Sequence, residues 1–154
     1  MIKLIIILYS VVYLGDMSEE ILINCYGFYL KLNLPDKEYK ISTSNFMEGT
    51  FYKYIFTEDT TAIIVQCAAL TEKYANLEGI YKKDTVTLDG YKVFRSYGKE
   101  IDKKDRYWIE YVYKNLDLAI RARFVKGKDM EEFESLLDEV VIVKRSEIPK
   151  GKRR

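Results

Sequence analysis

The sequence predicts an α+β domain: an antiparallel β-sheet with a C-terminal amphipathic helix packed on one face. Three observations predict it. Short runs of alternating apolar and polar residues, each closed by a turn signal, succeed one another from Ile21 to Val125. Two of them, Arg106 to Lys114 and Asp117 to Val125, abut as a hairpin about Asn115. A single helical stripe follows at Asp129, and strands followed by a helix, rather than strands alternating with helices, is the order of an α+β sheet.

The first segment, Met1 to Ser18, reads as a signal peptide. Lys3 supplies a positive start and Leu4 to Leu14 an uncharged apolar run of eleven residues, short of the roughly 20 that span a bilayer but within the 7–15 of a secretory core. Export to the periplasm or the medium follows, with no stable membrane insertion after processing. Asp16 and Met17 spoil the small-residue cleavage pattern, and the alternative reading makes Leu4 to Leu14 a buried strand of a cytoplasmic protein.

Cys25 lacks a lipobox, because Leu22-Ile23-Asn24 precedes it, so it and Cys67 read as small buried strand residues. With only two cysteines, one pairing exists, and an oxidising compartment would permit a Cys25–Cys67 bridge.

A single domain is expected over residues 19–143. Tyr26 to Leu34 alternates, with Phe28, Leu30, Leu32 and Leu34 on one face, and Pro35-Asp36 ends it. Phe51 to Phe56 alternates again. Ala62 to Leu70 is continuously apolar, as in a central strand covered on both faces. Thr71 to Gly79 has helix-forming residues. Asp89-Gly90 marks a turn, Tyr91 to Tyr97 a strand that Gly98 closes, and Lys99 to Arg106 a charged loop. In the second hairpin strand Leu118, Ile120, Ala122 and Phe124 share a face opposite Asp117, Arg121 and Arg123, so that one side of the sheet is covered and the other sees water. Asp129 and Glu132 make a capping-box pair, and Met130, Phe133, Leu136, Leu137, Val140 and Val141 form the stripe that covers the sheet. The tail, residues 144–154, has six basic residues against Glu147 alone and reads as disordered.

Gly27-Phe-Tyr-Leu-Lys-Leu-Asn-Leu-Pro35 resembles the opening strand of PsbP-like domains. Asp89-Gly-Tyr-Lys-Val-Phe-Arg95, Tyr107-Trp-Ile-Glu-Tyr-Val-Tyr113, Leu118-Ala-Ile-Arg-Ala-Arg-Phe124 and the helix resemble their second half. That resemblance implies a binding or accessory role rather than catalysis.

Composition excludes more than it assigns. The 154 residues hold 25 basic and 24 acidic side chains and no histidine. Without imidazole there is no Ser-His-Asp or Cys-His centre and no histidine-ligated zinc, and two cysteines cannot make a thiolate zinc site. No phosphate-cradling glycine motif occurs. No metal and no cofactor is expected, and the protein is read as no enzyme. A carboxylate-dependent enzyme and an intracellular partner-binding protein of immunity-factor type are the alternatives.

Tyrosine is abundant, 14 residues, and suits recognition surfaces. Tyr107 and Tyr111 with Arg121 and Arg123 are therefore the candidate binding residues, for a protein or small ligand. A platform of Arg95, Arg121 and Arg123 with Tyr97 and Tyr111 would suit single-stranded nucleic acid. The near-neutral charge and the acids Glu110 and Asp117 argue against that partner and for cross-strand ion pairs.

Overall fold

The computed structural model describes residues 19–46, 49–68 and 79–148. The signal-peptide reading of residues 1–18, the helical reading from Thr71 and the end of the basic tail lie outside them.

Among the described residues, ten strands form two antiparallel sheets. β1 (Glu19–Cys25), β2 (Phe28–Leu34) and β10 (Val141–Lys144) make the smaller sheet, in the order β1-β2-β10. The larger contains β3 (Tyr39–Phe46), β4 (Gly49–Phe56), β5 (Ala62–Cys67), β6 (Ile80–Leu88), β7 (Tyr91–Lys99), β8 (Arg106–Tyr113) and β9 (Leu118–Lys126), in the order β3-β4-β5-β9-β8-β7-β6. The only α-helix among the described residues, α1, runs from Met130 to Asp138.

The expected α+β class is thereby corrected: 63% of the described residues are strand and 15% helical, a mostly β protein with two sheets. The cause lies at the end of the stripe. The helical periodicity of Phe133, Leu136, Leu137 and Val140 stops after nine residues, and the β-branched Val141-Ile142-Val143 leaves as a strand on the open side of β2. Val141 is exposed, not part of the buried stripe. Asp129 is the N-cap residue but its side chain makes no capping bond. Order also continues beyond Val143, through a 3-10 turn at Arg145–Glu147 to the buried Ile148.

One core lies between the sheets. Ile23, Leu30, Leu32, Leu34 and Ile142 from the smaller sheet meet Tyr54, Phe56, Val65, Ile109 and Ile120 from the larger, and α1 adds Phe133, Leu136 and Leu137. The Phe133 and Phe56 rings meet edge to face at 6.0 Å. Cys25 and Cys67, both buried as expected, are also bonded to each other, Cα–Cα 5.3 Å, and tie β1 to β5 across the core. The hairpin tip Asp89-Gly90 has positive φ at both residues, 49° and 80°, as a tight two-residue turn requires, and Asp89 Oδ2 accepts the Ile142 N–H at 2.9 Å.

Leu118, Ile120 and Ala122 face this core with Phe133, Leu136, Leu137 and Val140, but Phe124 does not join them. Tyr107 pairs with Val125 and Ile109 with Ala122, so Arg123 and Phe124 together oppose Trp108 in a bulge. Phe124 has φ +57°, and the extra residue hands its core place to Val125. Gly98 does not end β7, which continues to Lys99. The Trp108 indole lies where a side chain at Gly98 would stand.

Candidate functional site

Three polar clusters surround the core. On its own side, the Arg95 guanidinium grips Asp84 with two bonds, 2.6 and 2.8 Å. Tyr111 donates to Asp138 at 2.6 Å and Tyr97 to Glu134 at 2.7 Å. Glu134 and Asp138 are one helical turn apart, so this cluster fastens α1 to β7 and β8. Burial, reinforced by these carboxylates, pushes the Tyr97 and Tyr111 phenols well above their ordinary range. The Arg95 hydrogen bond holds Asp84 below the usual carboxylate range. Tyr113 is buried beside them, its hydroxyl without a hydrogen-bond partner among the described residues, and burial pushes its pKa up as well.

The opposite face of the central strands is buried too, against the expectation that water reaches it. Ala119 is 1% exposed and Arg121 5%. Arg121 pairs with Glu110 on the neighbouring strand and donates to Gln66 Oε1 at 2.9 Å. A charge so enclosed persists because its partners replace water.

The third cluster builds the bulge. A bulged residue loses its ladder bonds and needs others. The Phe124 N–H donates to Glu100 Oε1 at 3.0 Å, and its carbonyl accepts from Arg106 Nη1 at 2.8 Å and from the Thr61 hydroxyl at 3.2 Å. Arg123 holds both Glu100 oxygens at 2.6 and 2.7 Å. Three side chains thus hold a phenylalanine in a left-handed conformation, and strained backbone tends to lie at functional sites.

Phe124 projects between two adjoining clefts. The larger, about 400 Å³, is lined by Lys53, Ile55, Thr60, Ala62, Lys103, Arg106 and Phe124. The smaller, about 250 Å³, shares Lys103 and Phe124 and adds Trp108, Ile101 and the Arg123–Glu100 pair. The larger cleft has three cationic side chains and no carboxylate among its described lining. Asp59, beside Thr60, is turned away: it accepts the Thr61 N–H at 3.0 Å and lies 3.6 Å from Lys126 Nζ. Although desolvation opposes it, the hydrogen bonding at Thr61, with Lys126, keeps the Asp59 pKa below its ordinary value.

The candidate residues read from sequence are not brought together. Tyr107 and Tyr111 lie on the core side of β8, Tyr107 half-buried and edge to face with Tyr81 at 6.4 Å, Tyr111 fully buried. Arg121 and Arg123 lie on the other face, each ion-paired. Arg95, Tyr97 and Tyr111 likewise face the core, so the aromatic-arginine platform is divided between two faces. Cross-strand pairing does account for Arg95 with Asp84 and Arg121 with Glu110. Lys53, Thr60, Arg106 and Phe124 were missed as site residues. Their one trace in the sequence is the doublet Phe124-Val125, where strict alternation gives way to two apolar neighbours.

Among the described residues no group of three or more Cys, Asp and Glu side chains could hold a metal ion, and no helix is long and apolar enough to cross a membrane. No family model, no curated protein and no solved structure matches the chain.

Proposed function

We propose that this protein is a non-catalytic binding or accessory module that works outside the reducing cytoplasm, and that its ligand seat is the cleft beside Phe124. The observation that carries this is the lining of that cleft: Lys53, Lys103 and Arg106 around an apolar floor of Ile55, Ala62 and Phe124, with no lining carboxylate among the described residues. Cations gathered without counter-charges raise the local concentration of anions and steer them in, and a cleft of this size suits a small ligand or the tip of a partner. The favoured partner is an anionic small molecule or an acidic protein segment.

Two further observations support the reading. The Cys25–Cys67 bridge is of the kind that persists in oxidising compartments. Against carboxylate catalysis stand the partners of the acids: the buried Glu110 has Arg121 and the buried Glu100 has Arg123, and the half-buried Asp84 has Arg95.

Calorimetric titration with citrate tests the proposal. Wild-type protein should bind it, and Lys53→Gln combined with Lys103→Gln should weaken binding at least tenfold with thermal stability kept. Equal binding by both proteins would remove the cleft from consideration.

A further inference from the structure

Resting on the cleft as the ligand seat, we infer that its ligand class is a phosphomonoester with a compact apolar group. The charge count points there. Lys53, Lys103 and Arg106 present three cations to one cleft, and a single carboxylate would leave two of them uncompensated, whereas a phosphomonoester brings nearly two charges and three acceptor oxygens at neutral pH. Arg106 spends Nη1 on the Phe124 carbonyl, which fixes the guanidinium plane and leaves its remaining donors for an oxyanion. The two lysines act as point charges that do not demand one geometry. Ile55, Ala62 and the Phe124 ring then offer apolar surface to the group that carries the ester.

The absence of histidine makes this inference unusually easy to test. No side chain of the protein has an ordinary pKa between 5 and 8. The charged groups around the cleft are Lys53 from β4, Lys103 and Arg106 from the loop and start of β8, Lys99, Glu100 and Arg123 in the adjoining cleft, and Asp59 with Lys126 beside Thr60. Asp59, its pKa held low by the hydrogen bonding at Thr61, stays ionised. A change of affinity between pH 5 and 7.5 therefore reports the ligand, whose second ionisation lies near pH 6.

Titration of the full folded chain with phenyl phosphate, phenyl sulfate and phenylacetate at pH 5.0 and 7.5 decides the matter. Phenyl phosphate should bind roughly tenfold more tightly at the higher pH, following its dianion fraction, while phenyl sulfate, a monoanion at both, should be weaker at pH 7.5 and unchanged. The Lys53→Gln, Lys103→Gln variant should lose the difference. Co-sedimentation with neutral vesicles containing phosphatidic acid, competed by phenyl phosphate, would place the same chemistry on a lipid; retention of soluble phenyl phosphate alone would place it on a free molecule. If phenylacetate or phenyl sulfate binds as tightly as phenyl phosphate at pH 7.5, the ligand class is overturned while the anion seat stands. If none of the three anions binds, and citrate does not either, both fall.

Discussion

Replacing Gly98 by alanine should destabilise the protein by about 3 kcal/mol. A Cβ at Gly98 would stand within the Trp108 indole, 2.5 Å from Nε1, where side chains never approach so closely. Overpacking a core typically costs about 1–3 kcal/mol, and Trp108 is 1% exposed, directly across from Gly98 and beside the Arg123–Phe124 bulge. The upper end of that range applies. Trp108 is the single tryptophan of the chain, so urea unfolding followed by its fluorescence reads the site itself. A companion Trp108→Leu variant, followed by circular dichroism, supplies the control: leucine leaves room for the methyl group, so the double variant should be more stable than the sum of the single losses by at least about 1 kcal/mol. A loss under about 0.5 kcal/mol in Gly98→Ala, or strict additivity in the double variant, would refute the packing that holds the bulge and so the shape of the cleft.

Leu137→Ala, at a position with no exposure beneath α1, should cost about 2–5 kcal/mol by chemical denaturation. Reducing Cys25–Cys67, which closes a loop with a sequence separation of 42, should lower stability by about 4 kcal/mol in the chain-entropy account, read as a fall in urea midpoint with reductant. Asp84 has a folded pKa below its ordinary 3.8, so it stabilises the fold above that value and the contribution fades as pH falls through the folded pKa; Asp84→Asn should flatten the stability profile between about pH 4 and 2. Burial raises Tyr54 from 10.0 to about 12, and Tyr97 and Tyr111 rise further. The neutral phenols therefore stabilise below pH 10 and lose that contribution as pH rises toward their folded values, and phenolate absorbance should appear in two phases, the second coincident with unfolding.

Much of the β architecture was legible because alternation is a local property. Phe28 to Leu34, Ala62 to Cys67 and the β8–β9 hairpin appear where the pattern places them. β3 was not legible, since Ile41, on an edge strand, is exposed and Tyr39-Lys-Ile-Ser-Thr-Ser carries little apolar signal. The last strand was hidden by coincidence: Val140 continues the helical stripe, and only pairing with β2, a partner over 100 residues earlier, decides that Val141 leaves it. The burial of Arg121 was hidden for another reason. Arginine at a strand position reads as solvent-facing, and its enclosure is made tolerable by partners such as Glu110 and Gln66 on the neighbouring strands, which no local pattern announces. The cleft was the least legible feature of all. Lys53, Thr60, Lys103 and Arg106 come from separate stretches of chain, and the bulge that gathers them depends on Glu100 and Thr61 reaching Phe124 from two different loops.

The backbone amide of Phe124 offers the most direct measurement of the central claim. Followed by heteronuclear NMR while phenyl phosphate is added at pH 7.5, the amides of Phe124, Thr60 and Arg106 should shift together and saturate, and those of Tyr97 and Tyr111, which belong to the cluster beneath α1, should stay in place. Shifts at Tyr97 and Tyr111 with none at Phe124, or no saturable shift at any of them, would contradict the assignment of the Phe124 cleft as the ligand seat.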